Sequence, residues 1–142
     1  MALLPKVDIE PGILPLVEAL NNTGVVHTFS SCQGHFDQFH RFNDKNKADV
    51  RFHPEDNISE KEIEKFIYFL LSEFNDKHSF DPVILSAHKL YTPLQPNENE
   101  IIDYVYVIEL TPFDQEVSPE QKRQNVDQAI LYAAKLAAKY GL

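Results

Sequence analysis

The sequence predicts a two-layer α+β domain: a mainly antiparallel sheet of about four strands with helices packed on one face. Three observations predict it. Segments with apolar residues at helical spacing, such as Ile63, Phe66, Ile67, Leu70 and Phe74, alternate with segments whose apolar residues fall at every second position, such as Ala48, Val50 and Phe52. The order of these segments is α, then ββα twice, which suggests two similar halves although no repeat is visible residue by residue. The 142 residues are enough for one domain with one core, residues 1–142, and no linker divides them; the Pro- and Asn-rich stretch 92–100 is too short.

Pro11 to Asn22 reads as a short helix, with Ile13, Leu16, Val17 and Leu20 on one face. Pro15 is tolerated only in a first turn, so the start moves toward Gly12. Asn21-Asn22-Thr23-Gly24 is a stop signal. Val25 to Ser30 is the first strand, β-branched and aromatic. Ser31 to Lys47 is a long polar connection with Phe36, Phe39 and Phe42 at every third position. Ala48 to His53 is the second strand, ended by Pro54.

Ser59 to Asn75 is the clearest helix, opened by a capping box of Ser59 and Glu62. After a turn through Pro82, Val83 to Tyr91 is the third strand. Ile101 to Thr111 is the fourth, with Tyr104, Tyr106, Ile108 and Leu110 facing one way. Ser118 caps the last helix, with Pro119 at its first position and Gln121 completing the box. Val126, Ile130, Ala133, Ala137 and Tyr140 give that helix a face that lies close on a sheet, and Gly141 marks its end.

Composition narrows the function classes. The net charge is −9, from 22 acids against 13 bases, and the basic residues form no run. Tight non-specific binding needs Lys and Arg on phosphates, so nucleic acid is not expected as a partner. No apolar stretch approaches the ~18 residues of a membrane span, so no membrane partner is expected either. Met1 to Pro11 lacks the basic region and apolar core of a signal peptide, and the single cysteine cannot form an internal disulfide. Both agree with a cytoplasmic location.

The chemistry-bearing residues concentrate in Thr28-Phe29-Ser30-Ser31-Cys32-Gln33-Gly34-His35, where the first strand stops. Hydroxyls donate and accept, glycine lets a backbone come close, and cysteine and histidine can ligate, titrate or attack. The corner is therefore expected to bind a small molecule through Ser30, Ser31, Cys32, Gln33, Gly34 and His35, with His88 of the third strand joining it. In detail, Ser31 and Gln33 would hydrogen-bond the ligand, Gly34 would allow its close approach, and His35 would orient or titrate.

Other chemistries on the same residues have a weaker pattern. Cys32, His35 and His40, with His53 or His88, supply four zinc-type ligands, but structural zinc sites usually declare two close pairs and there is one here, so no metal is expected. Cys32 with His35, His27 or His88 as base would make a nucleophile, whereas a lone cysteine is more often a small buried hydrophobe. His27 reads as a half-buried histidine at the core's edge. Phe36, Phe39 and Phe42, with Tyr91 and Tyr104, would stack on a planar ligand, although anchoring the long loop to the sheet is the simpler reading.

The corner resembles the Ser-Ser-Cys-Ser-Gly-Arg signature of the tRNA wybutosine-synthesising methyltransferase family. Phe80-Asp81-Pro82-Val83-Ile84-Leu85 is similar, more faintly, to that family's later Phe-Glu-Pro-Phe-Ile-Leu strand. Ser30, Ser31, Cys32 and Gly34 match the signature; Gln33 and His35 depart from it, and His35 stands where the family has arginine. The resemblance implies an α+β domain whose corner helps bind S-adenosylmethionine and a modified guanine. From the residues alone, whether the chain catalyses a reaction stays open. An acidic protein-interaction module, using the Phe-bearing loop or a sheet edge, is the other reading.

Overall fold

The computed structural model describes residues 9–36, 44–76, 83–92, 103–113 and 117–140. Phe39, His40, Phe42, the loop over 93–100 and Gly141 lie outside them. The elements follow the order α1 (Leu14–Asn22), β1 (Val26–Cys32), β2 (Ala48–Pro54), α2 (Glu60–Asp76), β3 (Val83–Thr92), β4 (Asp103–Pro112) and α3 (Pro119–Lys139). The strands form one antiparallel sheet in the order β1-β2-β4-β3, so β1 and β3 are its edges. This is the α+β architecture the sequence predicts.

The expected helix starts are set by local chemistry. The Ser59 and Ser118 hydroxyls accept from the backbone N–H of Glu62 and Gln121, each at 3.1 Å, satisfying donors that the first helical turn leaves orphaned. α1 begins two residues later than Gly12, because Ile13 and Leu14 both donate to the Glu10 carbonyl in a tight turn that precedes Pro15. No helix among the described residues is long and apolar enough to cross a membrane.

Strand alternation separates the sheet's two faces. Ala48, Val50 and Phe52 of β2 and Tyr106, Ile108 and Leu110 of β4 are buried toward the helices. They meet Ile13, Leu16 and Leu20 of α1, Ile63, Phe66 and Leu70 of α2, and Val126, Ala129, Ile130 and Ala133 of α3 in one continuous core. Each large side chain taken out of water there contributes ~1.5–3 kcal/mol. The small residues of α3 let that helix approach α1 and the sheet together.

One position on each edge is covered in the same way. The Asn21 side chain, at the end of α1, accepts from the Thr28 N–H at 3.0 Å and donates to the Thr28 hydroxyl at 2.9 Å. Asn75, at the end of α2, accepts from the Leu85 N–H at 3.1 Å and donates to the Leu85 carbonyl at 2.8 Å. In each half a helix thus covers an outward backbone N–H of the strand that comes after it. Covering edge groups limits unwanted strand pairing.

Candidate functional site

The corner begins with an irregularity in β1. Thr28 pairs with Phe52, but the next pairs are Ser30 with Arg51, Ser31 with Val50 and Cys32 with Asp49, so Phe29 is an extra, bulged residue. A bulge re-aims the side chains beyond it. Here it puts Ser31 on the same face as buried Val50, and Cys32 on the opposite face beside Asp49. Phe29 stacks on His53 with ring centroids 4.7 Å apart.

Beyond Cys32 the chain is held by groups from both ends of the sequence. The Gln33 backbone N–H donates to the Glu10 carboxylate at 3.0 Å, and its side-chain Oε1 accepts from the Gly12 N–H at 2.7 Å. Arg123 of α3 donates through Nη2 to the Gln33 carbonyl at 2.6 Å and through Nη1 to the Asn46 carbonyl at 3.1 Å. Gly34 is buried at φ +91, and a Cβ there would lie 2.3 Å from the Asn46 carbonyl oxygen. Its glycine is thus required by the corner's own packing, and Gln33 is likewise engaged by the fold on the groups named.

A buried ion pair anchors the same region. Lys122 Nζ lies 2.9 Å from Asp44 Oδ2, with both side chains almost wholly buried. The other Asp44 oxygen accepts from the Asn46 backbone and side-chain nitrogens at 2.9 and 3.0 Å. Lys122 and Arg123, the densest basic point of the sequence, therefore work as internal ties.

These ties shape an open cleft of about 590 Å³ between the start of α1, the corner and α3. Gln33 and Gly34 line its base, with Arg123 and Asp127 of α3 beside them. Phe36 and Leu131, 54% and 52% exposed, supply apolar walls. Arg123 and Asp127 form an ion pair at 3.0 Å. His35, exposed, lines the cleft and approaches Cys32, its Nε2 3.8 Å from Sγ, while the Gly34 N–H donates to the same sulfur at 3.4 Å. The cysteine is half-buried, and its sulfur lies within hydrogen-bond reach of the imidazole. Phe36 does not anchor itself to the sheet, as the simpler reading expected; it stands at the cleft mouth.

The structure does not bring His88 to this site. Ser30, Arg51, Val107 and His88 form one row across the sheet, so His88 sits three strands away, about 14 Å at the usual strand spacing. Its Nε2 lies 3.8 Å from Glu109. His53 points its Nδ1 at the Tyr104 carbonyl, 3.2 Å away, and His27, more buried than expected, faces Glu55 at 3.6 Å. Among the described residues no three His, Cys, Asp or Glu side chains gather as metal ligands.

Asp49, opposite Cys32 on β2, is held above the usual carboxylate range. Burial disfavours its charge and Glu109 on β4 repels it, against the opposing pull of Arg51 and Lys47. Sequence reasoning missed the α3 side of the cleft. Arg123, Asp127 and Leu131 recur at every fourth residue, a strip beside the buried stripe of α3 that would have marked a second wall. No known family, curated protein or solved structure matches the chain.

Proposed function

We propose that the chain binds a small nucleotide-like or S-adenosylmethionine-like ligand in the cleft beside the Ser30–His35 corner. The observation that carries this reading is the cleft itself. Its volume falls in the ~300–1,000 Å³ range of small-molecule sites, and it combines apolar walls with a few converging polar groups. The exposed ring of Phe36 offers a stacking surface to a planar base, and Leu131 faces solvent as an apolar wall. Asp127 offers an acceptor for a ribose hydroxyl or an amine, while Arg123, bound to the Gln33 and Asn46 carbonyls and to Asp127, holds that wall in place.

Within that reading the corner residues divide their work. Gln33 and Gly34 build the base of the cleft through the hydrogen bonds that hold them, while His35 and Phe36 meet the ligand. Cys32 acts through His35. The match of Ser30, Ser31, Cys32 and Gly34 to the methyltransferase signature makes S-adenosylmethionine the first ligand to try.

Titration of the isotope-labelled protein with S-adenosylmethionine, its demethylated product, ATP and GTP, monitored by amide chemical shifts, tests the proposal. Saturable shifts confined to Gly12, Gln33–Phe36 and the Arg123–Leu131 strip are expected. Shifts that cluster elsewhere, or none at millimolar ligand, would reject it.

A further inference from the structure

The cleft beside the corner has almost no positive charge to offer a phosphate. Among the described residues, Arg123 and His35 are the basic side chains that line it. The Arg123 guanidinium is engaged on three sides. Nη1 donates to the Asn46 carbonyl, Nη2 to the Gln33 carbonyl, and Nε and Nη2 donate to Asp127 Oδ1 at 3.2 and 3.0 Å. A guanidinium has five N–H groups, so a single one is left over. The Arg123 side chain is 19% exposed against 56% for Asp127, so the carboxylate is what the cleft presents to a ligand.

The groups that remain suit a neutral polar ligand. Both bonds from Arg123 end on Asp127 Oδ1, which leaves Oδ2 as an acceptor. Gln33 Oε1 is taken by the Gly12 N–H, and its Nε2 has no partner among the described residues, which leaves it as a donor. Beside Pro11 of the lining, the Glu10 carboxylate accepts the Gln33 N–H and brings a second negative charge to the same base. Arg123 and Asp127 cancel each other, so Glu10 leaves this end negative, in a chain whose net charge is −9.

We propose that the cleft takes nucleosides and rejects nucleotides, a choice that rests on the cleft being the ligand site as read above. Its ligand is a base and sugar without phosphate. The base stacks on the exposed Phe36 ring against the apolar Leu131 wall, and a sugar hydroxyl donates to Asp127 Oδ2. Gln33 Nε2 donates to a ring nitrogen or a second hydroxyl. A phosphate on the sugar would come beside Asp127 and Glu10 with no uncommitted cation to meet it. Like charges brought together in this way repel, and that repulsion supplies the selection.

The test titrates the intact, isotope-labelled protein with adenosine, AMP, ATP and S-adenosylmethionine at low salt, and reads amide shifts at Gly12, Gln33–Phe36 and the Arg123–Leu131 strip. Adenosine and S-adenosylmethionine, which carry no phosphate, are expected to bind there saturably. AMP is expected to bind about tenfold or more weakly than adenosine, and ATP more weakly still. Added sodium chloride screens the repulsion and is expected to narrow the gap between adenosine and AMP. The Glu10→Gln, Asp127→Asn double variant keeps an acceptor oxygen for the Gln33 N–H and for Arg123 while removing both charges, and it is expected to narrow the gap as well. Should that variant not fold, the salt series on wild type makes the same comparison. AMP or ATP bound at the cleft as tightly as adenosine would overturn the selection and leave the ligand site standing. A gap that salt does not narrow, or that a folded double variant retains in full, would also overturn it. No saturable shift at the cleft with any of the four would overturn the selection and the ligand site together.

Discussion

Arg123 and Gln33 stand 90 residues apart in sequence, and the arginine Nη2 donates to the glutamine carbonyl across 2.6 Å. The same guanidinium holds the Asn46 carbonyl at 3.1 Å. One side chain from α3 thus fastens the turn that leaves β1 and the turn that leads into β2, and the cleft exists because the two are held together.

Removing that clamp has a measurable cost. Arg123→Ala is expected to destabilise the fold by ~1.5–3 kcal/mol, since hydrogen bonds from a charged donor are the stronger kind and two carbonyls lose their partner. Arg123→Lys is expected to recover less than half of that, because an ammonium does not span both carbonyls as a planar fork does. Urea denaturation of the two variants checks this. Equal stability of wild type and Arg123→Ala would show that the corner holds its shape without the clamp.

The paired asparagines predict a local effect. Asn75→Ala leaves the Leu85 N–H and carbonyl uncovered, and Asn21→Ala does the same to the Thr28 N–H and hydroxyl. Each is expected to cost ~1–3 kcal/mol. Amide hydrogen exchange should quicken at Leu85 in the first variant and at Thr28 in the second, with the central strands β2 and β4 least affected. Uniform quickening across the sheet would mean that the asparagines support the whole fold rather than its edges.

What the sequence made legible was chemistry that acts over a few residues. Ser59 and Ser118 cap the helices they precede, and the alternation of Ala48, Val50 and Phe52 marks the buried face of β2. Contacts that close over long separations were not legible. Asn21 read as part of a stop signal, although its side chain works on the next strand. The bulge at Phe29 leaves no local mark, because any residue can be the extra one. The burial of Lys122 went unread, although it falls one turn before Val126 on the buried stripe of α3, and that position was the available sign of a buried partner. The corner itself was visible from its unusual composition. His88 was drawn to it by residue type alone, and only strand order could place it on the opposite edge.

The Lys122–Asp44 pair is expected to behave as buried pairs do. Lys122→Met, which strands the Asp44 carboxylate, should cost ~3–5 kcal/mol. Adding Asp44→Asn, which keeps a carbonyl oxygen as acceptor for the Asn46 N–H, should restore part of that loss, so that the double variant is more stable than Lys122→Met alone. Additive losses in a double-mutant cycle would show that the two groups do not depend on each other.

Asp49 predicts a pH dependence with a definite sign. Its carboxyl binds its proton more tightly in the folded chain than in the unfolded one. Its contribution to stability is therefore greatest while it is protonated, and falls as pH rises from the unfolded value of 3.8 through the raised folded value. Asp49→Asn, which cannot ionise, is expected to raise the melting temperature at pH 7 and to lose that advantage below the unfolded value. A variant no more stable than wild type at pH 7 would mean that Arg51 and Lys47 offset the burial of the charge.

Ligand binding at the cleft is the central claim, and thermal unfolding with and without ligand tests it most directly. A ligand at ~100 times its dissociation constant stabilises the native state by about 2.7 kcal/mol, a shift of several degrees for a chain of this size. S-adenosylmethionine, its demethylated product or a common nucleotide is expected to produce that shift in wild type. Phe36→Ala and His35→Ala are expected to lose most of it while changing the unliganded stability by less than ~1 kcal/mol, because both side chains are exposed. Gly34→Val is unsuited to the comparison, because its side chain would strike the Asn46 carbonyl. A wild-type shift that Phe36→Ala and His35→Ala leave intact, or no shift with any of these ligands at millimolar concentration, would contradict the account.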